Sequence, residues 1–322
     1  MKAFVLFLGL VVLTAGPLPV LADGFSFQTV QSPGDPAFTQ LLGINNAGTI
    51  AGYFGDGTVV ANNGFTLNLP NSYTPENFPG SLQTQVVGIN NAGDTAGFYV
   101  DGAGVTHGFL NSGGIFSTVD NPSNPTFNQL LGVNSSGVAA GYYMDAGGIF
   151  HPYTVAGGHT FTSINFVGEV SAQATGINNA GEVVGFNMTS GTKSEGFLDN
   201  GGTFTFLQVP GSVFTQALGI NNNGDVVGSY VDGGGVTHGF IYVIATGKFQ
   251  TIDDPFANGM TVINGINDMG QIVGFYTDAN NNVDGLVGTA VPEPTSLVLL
   301  VTGLFGLALR RSFSRSSHST AL

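Results

Sequence analysis

The chain has 322 residues, of which 8% are charged and 42% hydrophobic, with 51 Gly, 26 Phe and no Cys. That much apolar surface buries a core and excludes disorder despite the low charge, while the lack of cysteine excludes thiol chemistry and cysteine-ligated metal. All twenty acids fall within Asp23–Glu293, where Lys193 and Lys248 are the only bases. A surface this acidic repels phosphate backbones, so no nucleic acid is expected as a partner; it suits an extracellular protein or one that binds cations.

Read in chain order, Met1-Lys2, the apolar run Ala3–Ala15 and Val20-Leu21-Ala22 form the basic, apolar and small-residue parts of a signal peptide. The predicted mature chain begins at Asp23. Pro17 and Pro19 break a helix before the cleavage site, against the alternative of an uncleaved anchor.

Residues 23–290 carry a repeat of about six 44-residue units. Gly-[Ile/Val]-Asn starts at Gly43, Gly88, Gly132, Gly176, Gly219 and Gly265, and another Gly follows each nine residues later, at Gly52, Gly97, Gly141, Gly185, Gly228 and Gly274. Eleven residues further, in five copies, comes Gly108-Phe109, Pro152-Tyr153, Gly196-Phe197, Gly239-Phe240 or Gly285-Leu286. In the fifth unit the predicted strands are Gln216–Asn221, Asp225–Tyr230, His238–Val243 and Phe249–Ile252, separated by the Asn/Gly/Asp clusters that hairpin turns need. Four strands in ~40–50 residues is the size of one propeller blade. The predicted fold is therefore all-β, a six-bladed β-propeller, with a β-solenoid as the alternative.

The ends of the array bear on that choice. Phe27–Asn45 matches Phe116–Asn134, so the array opens with a fourth strand, whereas the last unit stops at its third, Asp284–Thr289. Phe25–Val30 is expected to supply the missing strand and so close the ring and remove the exposed edges. His107-Gly108-Phe109-Leu110 and His238-Gly239-Phe240-Ile241, with the recurring Gly-Ile-Asn, resemble the bacterial extracellular HAF repeat. That resemblance implies secretion and repetition and no chemistry.

Several residues are candidates for a site. His107, His151 and His238 each follow an Asp by six residues, at Asp101, Asp145 and Asp232. Equivalent positions spread around a ring cannot converge at the ~2.0–2.3 Å that zinc requires, so a structural role is expected. Asn45-Asn46, Asn90-Asn91, Asn178-Asn179 and Asn221-Asn222 are either ligand contacts or hairpin turns, and turns are the simpler reading. Asp278, Asn280, Asn282 and Asp284 place oxygens at alternate positions before Gly285, which suits a calcium site, the one cofactor the sequence suggests. Thr289 stands where an EF-hand needs Glu. Glu169, Glu182 and Glu195 gather in the fourth unit and are the candidates for catalysis. Asn71–Gln83, with Tyr73, Glu76 and Phe78, is a longer link and a candidate binding loop.

The C-terminus reads Val291-Pro292-Glu293-Pro294, then the apolar run Thr295–Leu309, then Arg310, Arg311 and Arg315. Such a run spans ~22 Å as a helix, short of the ~30 Å hydrocarbon core, and the arginines favour the cytoplasmic side. An ordinary tail anchor is the alternative. Pro292, Glu293, Pro294, Arg310 and Arg311 resemble the PEP-CTERM sorting signal of Gram-negative bacteria. The resemblance implies a short transmembrane sorting helix, an exosortase-type membrane protease as partner, and a transient or retained membrane anchor. The expected function is a secreted or surface-sorted, non-enzymatic repeat protein binding exopolysaccharide or another matrix component. A carbohydrate-active enzyme is the alternative, and a calcium-stabilised spacer a third.

Overall fold

A computed structural model of the protein describes residues 20–22, 24–124, 126–165, 171–188 and 193–291. The signal-peptide reading over 1–19, Glu169, and the sorting residues Pro292, Glu293, Pro294, Arg310 and Arg311 lie outside the described residues. Among those described, regular structure is all strand and there is no helix.

Each repeat folds as an antiparallel meander. The first is Thr39–Ile44, Ile50–Phe54, Asn63–Asn68 and Ser72–Pro75; the second is Gln83–Ile89, Thr95–Val100, Thr106–Ser112 and Ile115–Thr118. The others follow the same order, the third over Asn128–Val133 to Thr160–Ser163, the fourth over Ala172–Ile177 to Thr203–Leu207, and the fifth over Phe214–Ile220 to Lys248–Ile252. The sixth has Thr261–Ile266, Ile272–Thr277 and Val283–Ala290. A single parallel bridge, Ser194 to Phe214, joins the fourth sheet to the fifth.

The repeated glycines have physical causes. Each first strand bulges three residues before its Asn, as between Leu41 and Gly43 or Ala217 and Gly219. The bulge drives a first-strand carbonyl against the second strand. A Cβ on Gly52 would lie 2.3 Å from the Gln40 carbonyl oxygen, and one on Gly228 would lie 1.9 Å from that of Gln216. The third strand then lays a ring over the same glycine, and Phe65, Phe109, Tyr153, Phe197 and Phe240 are fully buried there. Truncating such a ring costs ~3–5 kcal/mol.

The first unit also has this step, as Gly64-Phe65, with Gly52 paired to Phe65. It falls one residue later than in the other units, which hides it from a fixed spacing. The link Asn71–Gln83 is not an open loop: it contains the fourth strand Ser72–Pro75, whose Tyr73 meets Phe65 edge-on at 5.0 Å.

The N-terminal Phe25–Val30 runs antiparallel along Val283–Ala290, from Phe25 opposite Ala290 to Val30 opposite Gly285. Val20–Ala22 adds a short strand outside it. Phe25 and Phe27 share a core with Ile263, Leu286 and the fifth unit's Val227 and Ile252. Val30, Val273 and Val287 share another with Leu41, Ile50 and Phe65 of the first unit. The sixth sheet thus packs on the fifth by one face and on the first by the other.

Candidate functional site

The first strands of all six units line an axial channel of about 280 Å³, with Gln85, Gln129, Thr175 and Asn264 among its polar groups. Its wall is close-packed glycine. A Cβ on Gly88 would lie 2.9 Å from the Gly132 Cα, and one on Gly265 would lie 3.1 Å from the Gly43 Cα. At one end the motif asparagines form a circle. Each Nδ2 donates to the next unit's Asn carbonyl: Asn45 to Asn90 at 3.1 Å, Asn90 to Asn134 at 3.0 Å and Asn134 to Asn178 at 3.1 Å. The circle continues from Asn178 to Asn221 at 3.3 Å, Asn221 to Asn267 at 3.1 Å and Asn267 back to Asn45 at 3.1 Å. The Oδ1 atoms cap their own turns, that of Asn45 accepting the Ala47 and Thr49 amides at 3.0 Å. These asparagines form turns, as expected, and also tie neighbouring units together.

The next residues surround a small polar pocket of about 60 Å³ at the channel mouth. Asp268 is the one acid among them and receives the Asn46 and Asn222 amides at 2.7 and 2.9 Å. Burial opposes its ionisation, but the amide donors of Asn222 and Asn46 outweigh that and hold the carboxyl below its usual range.

The histidines stand at the opposite end of the sheets. His107 lies between Asp101 (Nε2 to Oδ2, 3.4 Å) and Asp120 (Nδ1 to Oδ2, 2.7 Å). His238 lies likewise between Asp232 at 3.5 Å and Asp253 at 2.8 Å, and His151 meets Asp145 at 3.0 Å. Each stacks on a tyrosine: Tyr99, Tyr143 or Tyr230. Burial lowers the His238 pKa, but its two acid partners outweigh it and leave the imidazole above its ordinary value. Each histidine sits in its own unit. Among the described residues no group of three or more His, Asp or Glu can hold a metal ion.

At the hairpin tip expected to bind calcium, Asp278 Oδ1 accepts the Asn280 and Asn282 backbone amides at 2.8 Å. Its Oδ2 accepts their side-chain amides at 3.2 and 3.1 Å. The three residues therefore satisfy one another. Asp284 turns into the sheet, 3% exposed, and accepts Gln31 Nε2 at 2.8 Å. Burial raises its pKa.

Of the catalytic candidates, Glu182 is bound to Asn178 at 2.7 Å and Asn200 at 3.1 Å, beside the Asn circle. Glu195 pairs with Asn187 near the other end of Val183–Met188. Glu182 and Asn187, the partner of Glu195, are five residue steps of strand apart, ~17 Å. Their expected cluster does not form.

Sequence reasoning missed a cleft. In the link to the second unit, Glu76 is buried and bonded to Thr95 Oγ1 and to Asn111 Nδ2, and Phe78 stacks on Tyr99 with centroids 3.7 Å apart. Where the second unit has Phe78-Pro79-Gly80, the first has Ser32-Pro33-Gly34. Beside Ser32 lies a cavity of about 310 Å³ lined by Phe54, Phe65, Tyr73, Asn63 and Asn77. The ring in one link and its replacement by serine in the other were the available signal.

Residues 290–312 match the PEP-CTERM protein-sorting motif. That motif indicates export and surface sorting in a Gram-negative bacterium, with exosortase processing in general. No curated protein sequence matches the chain. A TolB-type protein from Agrobacterium tumefaciens is similar at 12% identity, TM-score 0.58, covering 84% of this chain and 98% of that one. AofleA from Arthrobotrys oligospora is similar at 12% identity, TM-score 0.50, covering 83% of each chain. An Aleuria aurantia lectin, in complex with Fucα1-6GlcNAc, has 14% identity and TM-score 0.47 over 80% of this chain and 97% of that one. At these identities likeness extends to fold alone, an all-β, propeller-like arrangement of small sheets.

Proposed function

We propose that the protein is a six-bladed β-propeller of HAF-type repeats, closed by its N-terminal strand and cut after Ala22 on export. Its Pro292-Glu293-Pro294 and Arg310-Arg311 address it to an exosortase-type protease, and the folded part binds exopolysaccharide or another matrix component without turning it over. The observation that carries the binding reading is the repeated polar row at the histidine end of the sheets. Asn63, His107, His151, Glu195 and His238 occupy one register position and stay partly exposed, each opposite a second-strand residue from Phe54 to Tyr230, while Asp284 holds the sixth copy of the position and is buried. Hydrogen-bonding groups repeated around a rim suit a repetitive ligand, because several weak contacts on one polymer add up through effective concentration.

The reading is tested by incubating the mature chain with a panel of matrix polysaccharides, following binding and new reducing ends together. Saturable binding without new ends is expected. Release of ends at a protein-dependent rate would replace this reading with the enzymatic one, and no binding to any polymer would remove it.

A further inference from the structure

The second unit shows what the first unit's cleft is shaped to hold. In the second unit the Phe78 backbone amide donates to Thr84 Oγ1 at 3.0 Å, and its ring stacks on Tyr99, 3.7 Å away and tilted 6°. The same ring meets Phe116 edge-on at 5.6 Å and lies 6.1 Å from Phe109. In the first unit the Ser32 amide makes the equivalent bond to Thr39 Oγ1 at 2.8 Å. By register, Phe54, Phe65 and Tyr73 stand where Tyr99, Phe109 and Phe116 stand. The walls are kept and the ring between them is replaced by a hydroxymethyl group, which opens the cavity of about 310 Å³.

We infer that this cleft is a subsite for one neutral pyranose ring, held with its apolar C–H face against the aromatic wall. The inference rests on the polysaccharide reading above and names the ligand class of one site within it. The volume sits at the small end of ligand clefts, ~300–1,000 Å³, which suits one ring rather than a longer segment. Phe78 marks the space as that of one six-membered ring.

The edge of the cleft is polar. Asn77 Nδ2 donates to Asn63 Oδ1 at 3.2 Å, Asn77 Oδ1 accepts the Gly64 amide at 2.9 Å, and Asn63 Nδ2 donates to Ala61 O at 2.8 Å. Each of these amides retains a further hydrogen-bonding position for a sugar hydroxyl. No charged side chain lines the cavity, and the acidic chain around it disfavours anions. An uncharged ligand with an apolar face and a hydroxyl edge meets all three conditions. A purely aromatic ligand would use the rings and leave the amide edge unmatched.

The test uses the full mature chain, a panel of neutral methyl pyranosides, their homopolymers, and phenol as an aromatic probe, read by saturation-transfer NMR and titration. At least one pyranoside should bind saturably through its ring C–H protons. Ser32→Phe, which restores the second unit's plug, should weaken that binding at least tenfold without lowering the melting temperature. Asn77→Ala, on the exposed edge, should weaken it several-fold and decides the question should Ser32→Phe not fold. Unchanged pyranoside affinity in the variants, or binding of phenol with no pyranoside bound, would overturn the subsite. Unchanged pyranoside affinity in the variants with polymer binding intact would overturn the subsite and leave the wider reading standing, whereas a wild-type chain that binds no polymer would remove both.

Discussion

Asp254 lies in the link from the fifth unit to the sixth, at the position of Ser32 and Phe78. It is 3% exposed; its amide donates to Thr261 Oγ1 at 3.1 Å and its Oδ1 accepts the Phe256 amide at 2.9 Å. Its Oδ2 is buried and has no hydrogen-bond partner. Burial pushes its pKa up to about 6, and the charge of Asp284 adds to the shift. Between the unfolded value of ~3.9 and the folded one, the native state holds a proton that the unfolded state has lost, so stability falls as pH rises through that window. Asp254 should therefore cost on the order of 2–3 kcal/mol at neutral pH, a cost relieved by acidification. Asp284 and His238, both raised, act in the same direction, so the wild type alone does not isolate Asp254. Asp254→Asn, which copies Asn121 of the third unit, should raise the melting temperature at pH 7.5 and make little difference at pH 4. Equal effects at both values would refute the assignment. At this scale the sequence was partly legible. Asn45 and its equivalents read as turns because Asn and Gly punctuate every hairpin. Their Nδ2 bonds could not be read, since each partner lies some 43 to 46 residues along the chain except at the last step.

Among the elements, the N-terminal strand matters most. It pairs with Val283–Ala290 along its whole length and buries Phe25, Phe27 and Val30. Deleting Asp23–Gln31 removes two aromatic anchors, each worth ~3–5 kcal/mol, against a total stability of ~5–15 kcal/mol. It also leaves the edge of Val283–Ala290 unpaired. Size exclusion and thermal unfolding should show loss of the folded monomer, and an unaltered melting temperature would show that the strand is dispensable. Deleting Asn71–Gln83 should be comparably damaging, since it takes a fourth strand, buried Glu76 and the Phe78 ring. The strands themselves were legible, with ends displaced by a residue or two, because short Val/Ile/Phe/Tyr runs lie between turn clusters. The strand within the link was not legible because four residues, Ser72–Pro75, carry little apolar signal when their packing partner Phe65 is out of sight.

For the whole molecule, closure and rim belong to one account. The Asn circle and the Phe25–Val30 pairing both join the sixth unit to an earlier part of the chain. The comparison of Phe27–Asn45 with Phe116–Asn134 made the pairing of Phe25–Val30 with the last unit legible before the structure, because a fourth strand at one end of the array leaves a gap at the other. Glu182 and Glu195 stand apart because nearness in sequence says nothing about which end of a hairpin a residue occupies. A cysteine pair tests closure directly. Ser26 and Thr289 are directly paired across the two strands, and the chain has no native cysteine to interfere. Directly opposed residues lie ~4.5–5.5 Å apart at Cα, within the span of a disulfide. Ser26→Cys with Thr289→Cys should oxidise to a disulfide within one monomer, run faster on a non-reducing gel, and raise the melting temperature. Free thiols after oxidation, or crosslinks only between chains, would contradict the closed ring.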